Sequence, residues 1–247
     1  MVTTHKAGRV ALITGGSGGI GAATAERLAV DGYRLAVHYS GNAAKAEAVA
    51  ERIRASSGEA MTVGGDVADE QAMTTAFDAV TEAYGGLDVV VHAAGIMPLS
   101  PVAAFDLEVF DQIVRTNLRG AFVVSQLAAQ RLREDGALIN VSTSVTRLRL
   151  PGYAPYAASK AAVETLTEIL AKELRGRRIT ANVVAPGPTE TPLFTTGKTQ
   201  AEIDGMAKAA PLERLGQPRD IAEVIAFLAA PGGWVNGQVL YANGGIA

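Results

Sequence analysis

The chain has 247 residues, 48% of them hydrophobic and 19% charged, with a formal net charge of −3. That length suits one large α/β domain, the composition excludes a disordered chain, and the mildly acidic balance argues against an electrostatic nucleic-acid binder. Cysteine is absent, which excludes disulfides, thiolate catalysis and zinc-thiolate sites.

Residues 10–13 are a short apolar run rich in β-formers, and a glycine-rich turn follows over residues 14–21. Helical periodicity runs over 20–30 and stops at Asp31-Gly32. Residues 35–39 read as a strand, 43–55 as a helix, 60–63 as a strand and 69–84 as a helix opening on acidic residues. Residues 87–92 are a buried strand, and 107–133 read as one long helix. Then come a strand at 137–141, a helix at 155–175 and a strand at 179–184. A helix at 220–229 and a strand at 238–241 close the pattern. Residues 187–216 show no period. So long an irregular stretch inside a compact domain is usually functional, and a substrate lid is expected, with a disordered insertion as the alternative.

Alternating strands and helices call for a parallel sheet with right-handed crossovers, covered by helices on both faces. There is no linker, repeat or low-complexity tract, so residues 1–247 read as a single doubly wound Rossmann α/β domain. His5, His38 and His92 lack ligand spacing, and no metal site is expected. Residues 1–10 lack the apolar core of a signal peptide, and no apolar run approaches the ~20 residues that span a bilayer. A soluble cytoplasmic protein is expected.

Three local patterns carry chemistry. Thr14-Gly15-Gly16-Ser17-Gly18-Gly19-Ile20-Gly21 joins the first strand to the first helix. Glycines there let the backbone approach a pyrophosphate, and the helix N-terminus supplies free N–H groups. Tyr156 and Lys160 stand four residues apart, on one face of a helix. A cation beside a phenol lowers its pKa from ~10 and makes it an acid/base for a carbonyl or an alcohol. After the second strand come Tyr39, Ser40, Gly41 and Asn42, with Lys45 beyond and no acid to hold a ribose 2′-hydroxyl. Ser40 and Asn42 could donate to a 2′-phosphate, so NADP(H) is preferred and NAD(H) remains open. Asn117 and Gly120 are poor residues for a helix interior, and such a broken local rule points to a functional site.

The turn spacing is T-G-x-x-x-G-x-G, and here the chain resembles the short-chain dehydrogenase/reductase family, in its 3-oxoacyl-carrier-protein reductase-like branch. Asp66-Val67, His92-Ala93-Ala94-Gly95, Asn117, Tyr156/Lys160, Pro186-Gly187 and the terminal Gly237 to Gly245 block carry the resemblance over nearly the whole chain. It implies strand order 3-2-1-4-5-6-7, a homo-oligomer (dimer or tetramer), and reversible ketone/alcohol oxidoreduction with a small-molecule substrate. By the same resemblance Asp66 holds the adenine, Asn117 serves a proton relay, and Lys160 binds the nicotinamide ribose. Thr189 and Thr191 contact the carboxamide and a phosphate. His92-Ala-Ala-Gly departs from the commoner Asn-Asn-Ala-Gly. The family's substrate-binding serine lies thirteen residues before the tyrosine, and that count lands on Thr143, with Ser144 as the alternative and Ser142 after it. Threonine offers the same hydroxyl.

Met97, Val145, Tyr153, Pro188, Leu193 and Phe194 are expected either to line a partly apolar substrate pocket or to serve as core. Two other readings stay open on the same fold: a nucleotide-sensing binding protein, and a sugar-alcohol dehydrogenase using NAD. A sugar-nucleotide epimerase or dehydratase would normally carry a larger C-terminal substrate region.

Overall fold

The computed structural model describes residues 8–247, so the readings made on His5 and on the N-terminal segment lie outside the described residues. Seven strands build one sheet: β1 (Val10–Thr14), β2 (Arg34–Tyr39), β3 (Glu59–Gly64), β4 (Leu87–His92), β5 (Leu132–Val141), β6 (Thr180–Pro186) and β7 (Val239–Ala242). All pair in parallel, in the order β3-β2-β1-β4-β5-β6-β7.

Pleating divides the core in two. Val10 and Leu12 of β1 point into one cluster, Ala11 and Ile13 into the other. The first cluster is covered by α3 (Glu70–Tyr84), α5 (Gly120–Arg131) and α7 (Ala154–Glu173). The second is covered by α1 (Gly19–Val30), α2 (Ala43–Ala55) and α10 (Pro218–Ala229). Every residue of β1 and of β4 is buried, which explains their nearly continuous apolar runs. Fully burying one such side chain contributes about 1.5–3 kcal/mol, so truncation in either strand strikes at the fold. The strand order reverses between β1 and β4, and a crevice opens there beyond the carboxyl ends of the strands.

Two expectations need correction. Residues 107–133 are not one helix. They form α4 (Leu107–Ile113), a π-turn (Val114–Arg119) and α5, and residues 132–141 are already strand. The π-turn carries fully buried Asn117, whose amide accepts from Ile96 N–H and donates to Ile96 C=O, each at 2.9 Å. That side chain takes a tertiary partner instead of bonding its own helix. Gly120 is small for a packing reason: a Cβ there would lie 2.6 Å from Val67 Cγ2.

Residues 187–216 are not irregular throughout. They hold α8 (Pro192–Thr195) and α9 (Gln200–Ala209), and α9 starts on a capping box between Thr199 and Glu202. The short α6 (Val145–Leu148) follows β5. No helix among the described residues is long and apolar enough to cross a membrane.

Candidate active site

A cleft of about 350 Å3 opens at the carboxyl ends of β1, β4, β5 and β6. The glycine turn lines it at one end. Gly15, at φ +66°, runs against the Ala94 backbone, where a Cβ would come within 2.8 Å of Ala94 N. Gly21 lies so close to Gly15 C=O that a Cβ would approach it to 2.3 Å. Gly18 caps α1 without a side-chain bond, the first turn has no acid, and a Cβ on Gly18 would meet nothing within 4 Å. The first turn of α1, with no acid and no side-chain cap, thus lines the cleft at the positive end of the helix dipole, an arrangement that suits a phosphate.

Fifteen of the expected cofactor residues line this cleft: Gly15, Ser17, Gly18, Gly19, Ile20, Gly21, Ala93, Ala94, Gly95, Tyr156, Lys160, Pro186, Gly187, Thr189 and Thr191. Tyr39, Ser40, Asn42, Asp66 and Val67 do not, and most are engaged elsewhere. The Tyr39 ring packs on Gly64. The Asn42 side-chain oxygen caps α2 by accepting from Lys45 N–H at 2.9 Å. The Asp66 carboxylate accepts from Ala68 N–H at 2.9 Å and from Arg115 at 2.6 Å. Ser40 is exposed at the end of β2. Lys45 reaches the cleft in their place.

At the other end α7 presents Tyr156 and Lys160, both buried, one turn apart. Lys160 Nζ donates to Val141 C=O at 2.8 Å. A Cβ on Gly95 would stand 3.2 Å from Asn117 Oδ1 and 3.4 Å from Lys160 Nζ, so both polar groups converge on this glycine. Asn117 also donates to Ser159 Oγ at 3.3 Å.

Three hydroxyls follow one another where β5 ends. Ser142 donates to Glu164 at 2.6 Å, and Ser144 donates to Ala185 C=O at 3.3 Å while accepting from Asn243 at 3.1 Å. Only Thr143 is turned to the Tyr156 phenol.

The electrostatics differ from the expectation of a tyrosine acidified by its lysine. Burial pushes the Tyr156 phenol up to about 12, and the Thr143 hydroxyl draws it only part of the way back. Burial also lowers the Lys160 ammonium to about 8. Desolvation disfavours the charged form of each group and is the dominant cause of both shifts. Behind them His92 occupies the position that departs from the Asn-Asn-Ala-Gly pattern, with Nδ1 2.8 Å from Thr14 Oγ1. Burial drives it down to about 3, helped by the positive charges of Lys160 and His38.

This end of the cleft is walled by all six residues expected of a pocket or of the core, Met97, Val145, Tyr153, Pro188, Leu193 and Phe194. Leu148, Leu150 and Met206 complete it. The apolar alternation of Leu148 and Leu150 before Pro151-Gly152 was a usable signal for two of them. Met206 needed the capping box that starts α9. Among the described residues no cluster of His, Cys, Asp and Glu could hold a metal ion.

The family model described as enoyl-(acyl carrier protein) reductase matches residues 15–247. A short-chain type dehydrogenase/reductase from Picea abies is 43% identical over 96% of this chain and 92% of its own length. An NADPH-dependent aldehyde reductase-like protein, chloroplastic, from Arabidopsis thaliana is 42% identical over 97% of this chain and 94% of its own. Among solved structures, a short chain dehydrogenase from Burkholderia cenocepacia J2315 in complex with NADP superimposes with a TM-score of 0.92. It is 37% identical, covering 98% of this chain and 99% of its own.

Proposed function

Since the chain belongs to the short-chain dehydrogenase/reductase family and is thereby an NAD(P)-dependent oxidoreductase, we propose that it interconverts a ketone and a secondary alcohol with NADP(H), working as a reductase. The observation that carries this reading is the convergence of Thr143, Tyr156 and Lys160 on one cleft whose far end is the uncapped N-terminus of α1.

The residues present fit the cofactor. The open face above Gly18 and the free N–H groups of α1 suit its pyrophosphate, with Thr191 across from Gly19. Lys45 stands at the same end, and no acid follows β2 to repel a 2′-phosphate. When bound, NADPH supplies hydride to the carbonyl carbon. Tyr156 holds a proton on Oη across the neutral range and gives it to the carbonyl oxygen. Thr143 donates a hydrogen bond to the same oxygen and stabilises its developing charge. Lys160 binds the nicotinamide ribose and resupplies the phenol, and Asn117 supports that relay from its place beside Gly95. Met97, Tyr153, Leu193 and Phe194 exclude water and select a substrate with an apolar body. Exposed apolar side chains on α4, α5 and α7, among them Leu107, Phe122 and Ile169, suit a homo-oligomer.

The reading is tested by following NADPH consumption over a panel of ketones and aldehydes, with Thr143→Ala and Ser144→Ala side by side. Thr143→Ala should lower turnover by about 10²-fold and Ser144→Ala by less than ~10-fold, since its hydroxyl bonds away from the cleft. Saturable NADPH binding without turnover on any carbonyl would instead favour a nucleotide sensor.

A further inference from the structure

The outlet of Ser142 singles out a residue that no part of the mechanism uses. Glu164 Oε1 accepts from Ser142 Oγ at 2.6 Å, the length of a charge-assisted bond between hydroxyl and carboxylate. The same oxygen lies 3.1 Å from Thr146 Oγ1, which is 2.9 Å from Thr143 C=O. The single proton of the Thr146 hydroxyl is shared between Thr143 C=O and Glu164, so one carboxylate oxygen reaches both sides of Thr143. Glu164 is half-buried and does not line the cleft, so it has no direct access to a substrate.

Its place on α7 gives these bonds their meaning. Glu164 follows Tyr156 by two turns and Lys160 by one, along the same helical face. On its other side the segment after β5 is already tied to β6, by Ser142 N–H to Val184 C=O and Ser144 N–H to Pro186 C=O, each at 2.8 Å. Threonine is stiff at χ1, so the backbone position at residue 143 sets where its hydroxyl stands. We propose that Glu164 is a positioning residue: its carboxylate clamps Ser142 and Thr146, locking the segment that carries Thr143 to the helix that carries Tyr156. The clamp rests on the reading that Thr143 and Tyr156 share the substrate oxygen.

The test compares kcat, KM and NADPH affinity in the full-length enzyme across two backgrounds. Glu164→Ala should lower kcat by about 10–100-fold, because a misplacement near 1 Å carries a cost of that order, while NADPH affinity stays unchanged. Glu164→Gln keeps an acceptor oxygen and should stay within about threefold of the parent. In a Thr143→Ala background Glu164→Ala should cost less than about threefold more, the non-additivity expected of groups acting as one unit. Should Glu164→Ala not fold, Ser142→Ala removes one arm of the clamp and should show the same non-additivity at smaller size. Unchanged kcat in the Glu164→Ala enzyme, or equal losses in both backgrounds, overturns the clamp. A Thr143→Ala enzyme of full activity overturns the underlying reading instead.

Discussion

The floor of the cleft, where the end of β5 meets α7, and its cap, the segment of α8 and α9 that brings Leu193, Phe194 and Met206 to it, are built to opposite standards. On the floor Thr143, Tyr156 and Lys160 are buried, with Asn117 buried beside Gly95, and the groups flanking them are hydrogen-bonded to neighbouring elements. In the cap α9 has no buried residue at all and is held at its start by its own capping box. Local stability follows buried contacts, so the floor opens only with the whole domain while the cap opens at small cost. On the proposed function the chemistry rests where positions are fixed and substrate selection where they can shift, so changes in the two regions should break different kinetic constants.

The largest effect in the floor short of the tyrosine belongs to Lys160→Ala. Turnover should fall by about 10³-fold and NADPH binding should weaken, read by steady-state kinetics and fluorescence titration. A loss confined to KM for the carbonyl would move Lys160 out of the floor's machinery. The floor also carries a pH liability. His92 drops from 6.5 to about 3 on folding, so its contribution to stability is complete above pH 6.5 and is lost as pH falls toward 3. Chemical unfolding at pH 7 and pH 4 should show the parent losing about 2–3 kcal/mol more than His92→Asn. Equal losses would mean that His92 titrates normally. The cap should give the smallest change: Met206→Ala should raise KM for an apolar ketone by about 3–10-fold with kcat nearly unchanged. A large fall in kcat there would erase the division between the two regions.

How much of this could be read beforehand depended on the range of the interaction. The glycine turn and the Tyr156/Lys160 pair are local spacings, and the count back from Tyr156 lands on Thr143, whose hydroxyl is turned to the phenol. The sheet order followed from the resemblance and agrees with the structure. The π-turn at Val114–Arg119 was hidden, because apolar periodicity continues through it and the partner of its Asn117 amide is Ile96, 21 residues away. The ion pair of Asp66 with Arg115 was equally hidden, because the partner comes from another element 49 residues on. The cap helices were masked by proline and threonine, although Thr199 and Glu202 spelled a helix start. The Tyr156 phenol moved opposite to expectation, because burial is set by the assembled fold and leaves no local mark in the sequence.

The central claim is that Tyr156 gives the proton to the carbonyl oxygen. Tyr156→Phe removes that one hydroxyl from a buried ring, and the direct measurement sets its ketone-dependent NADPH oxidation beside its NADPH dissociation constant. The account predicts turnover reduced by about 10³-fold or more with the dissociation constant within about threefold of the parent. Turnover close to that of the parent would contradict it.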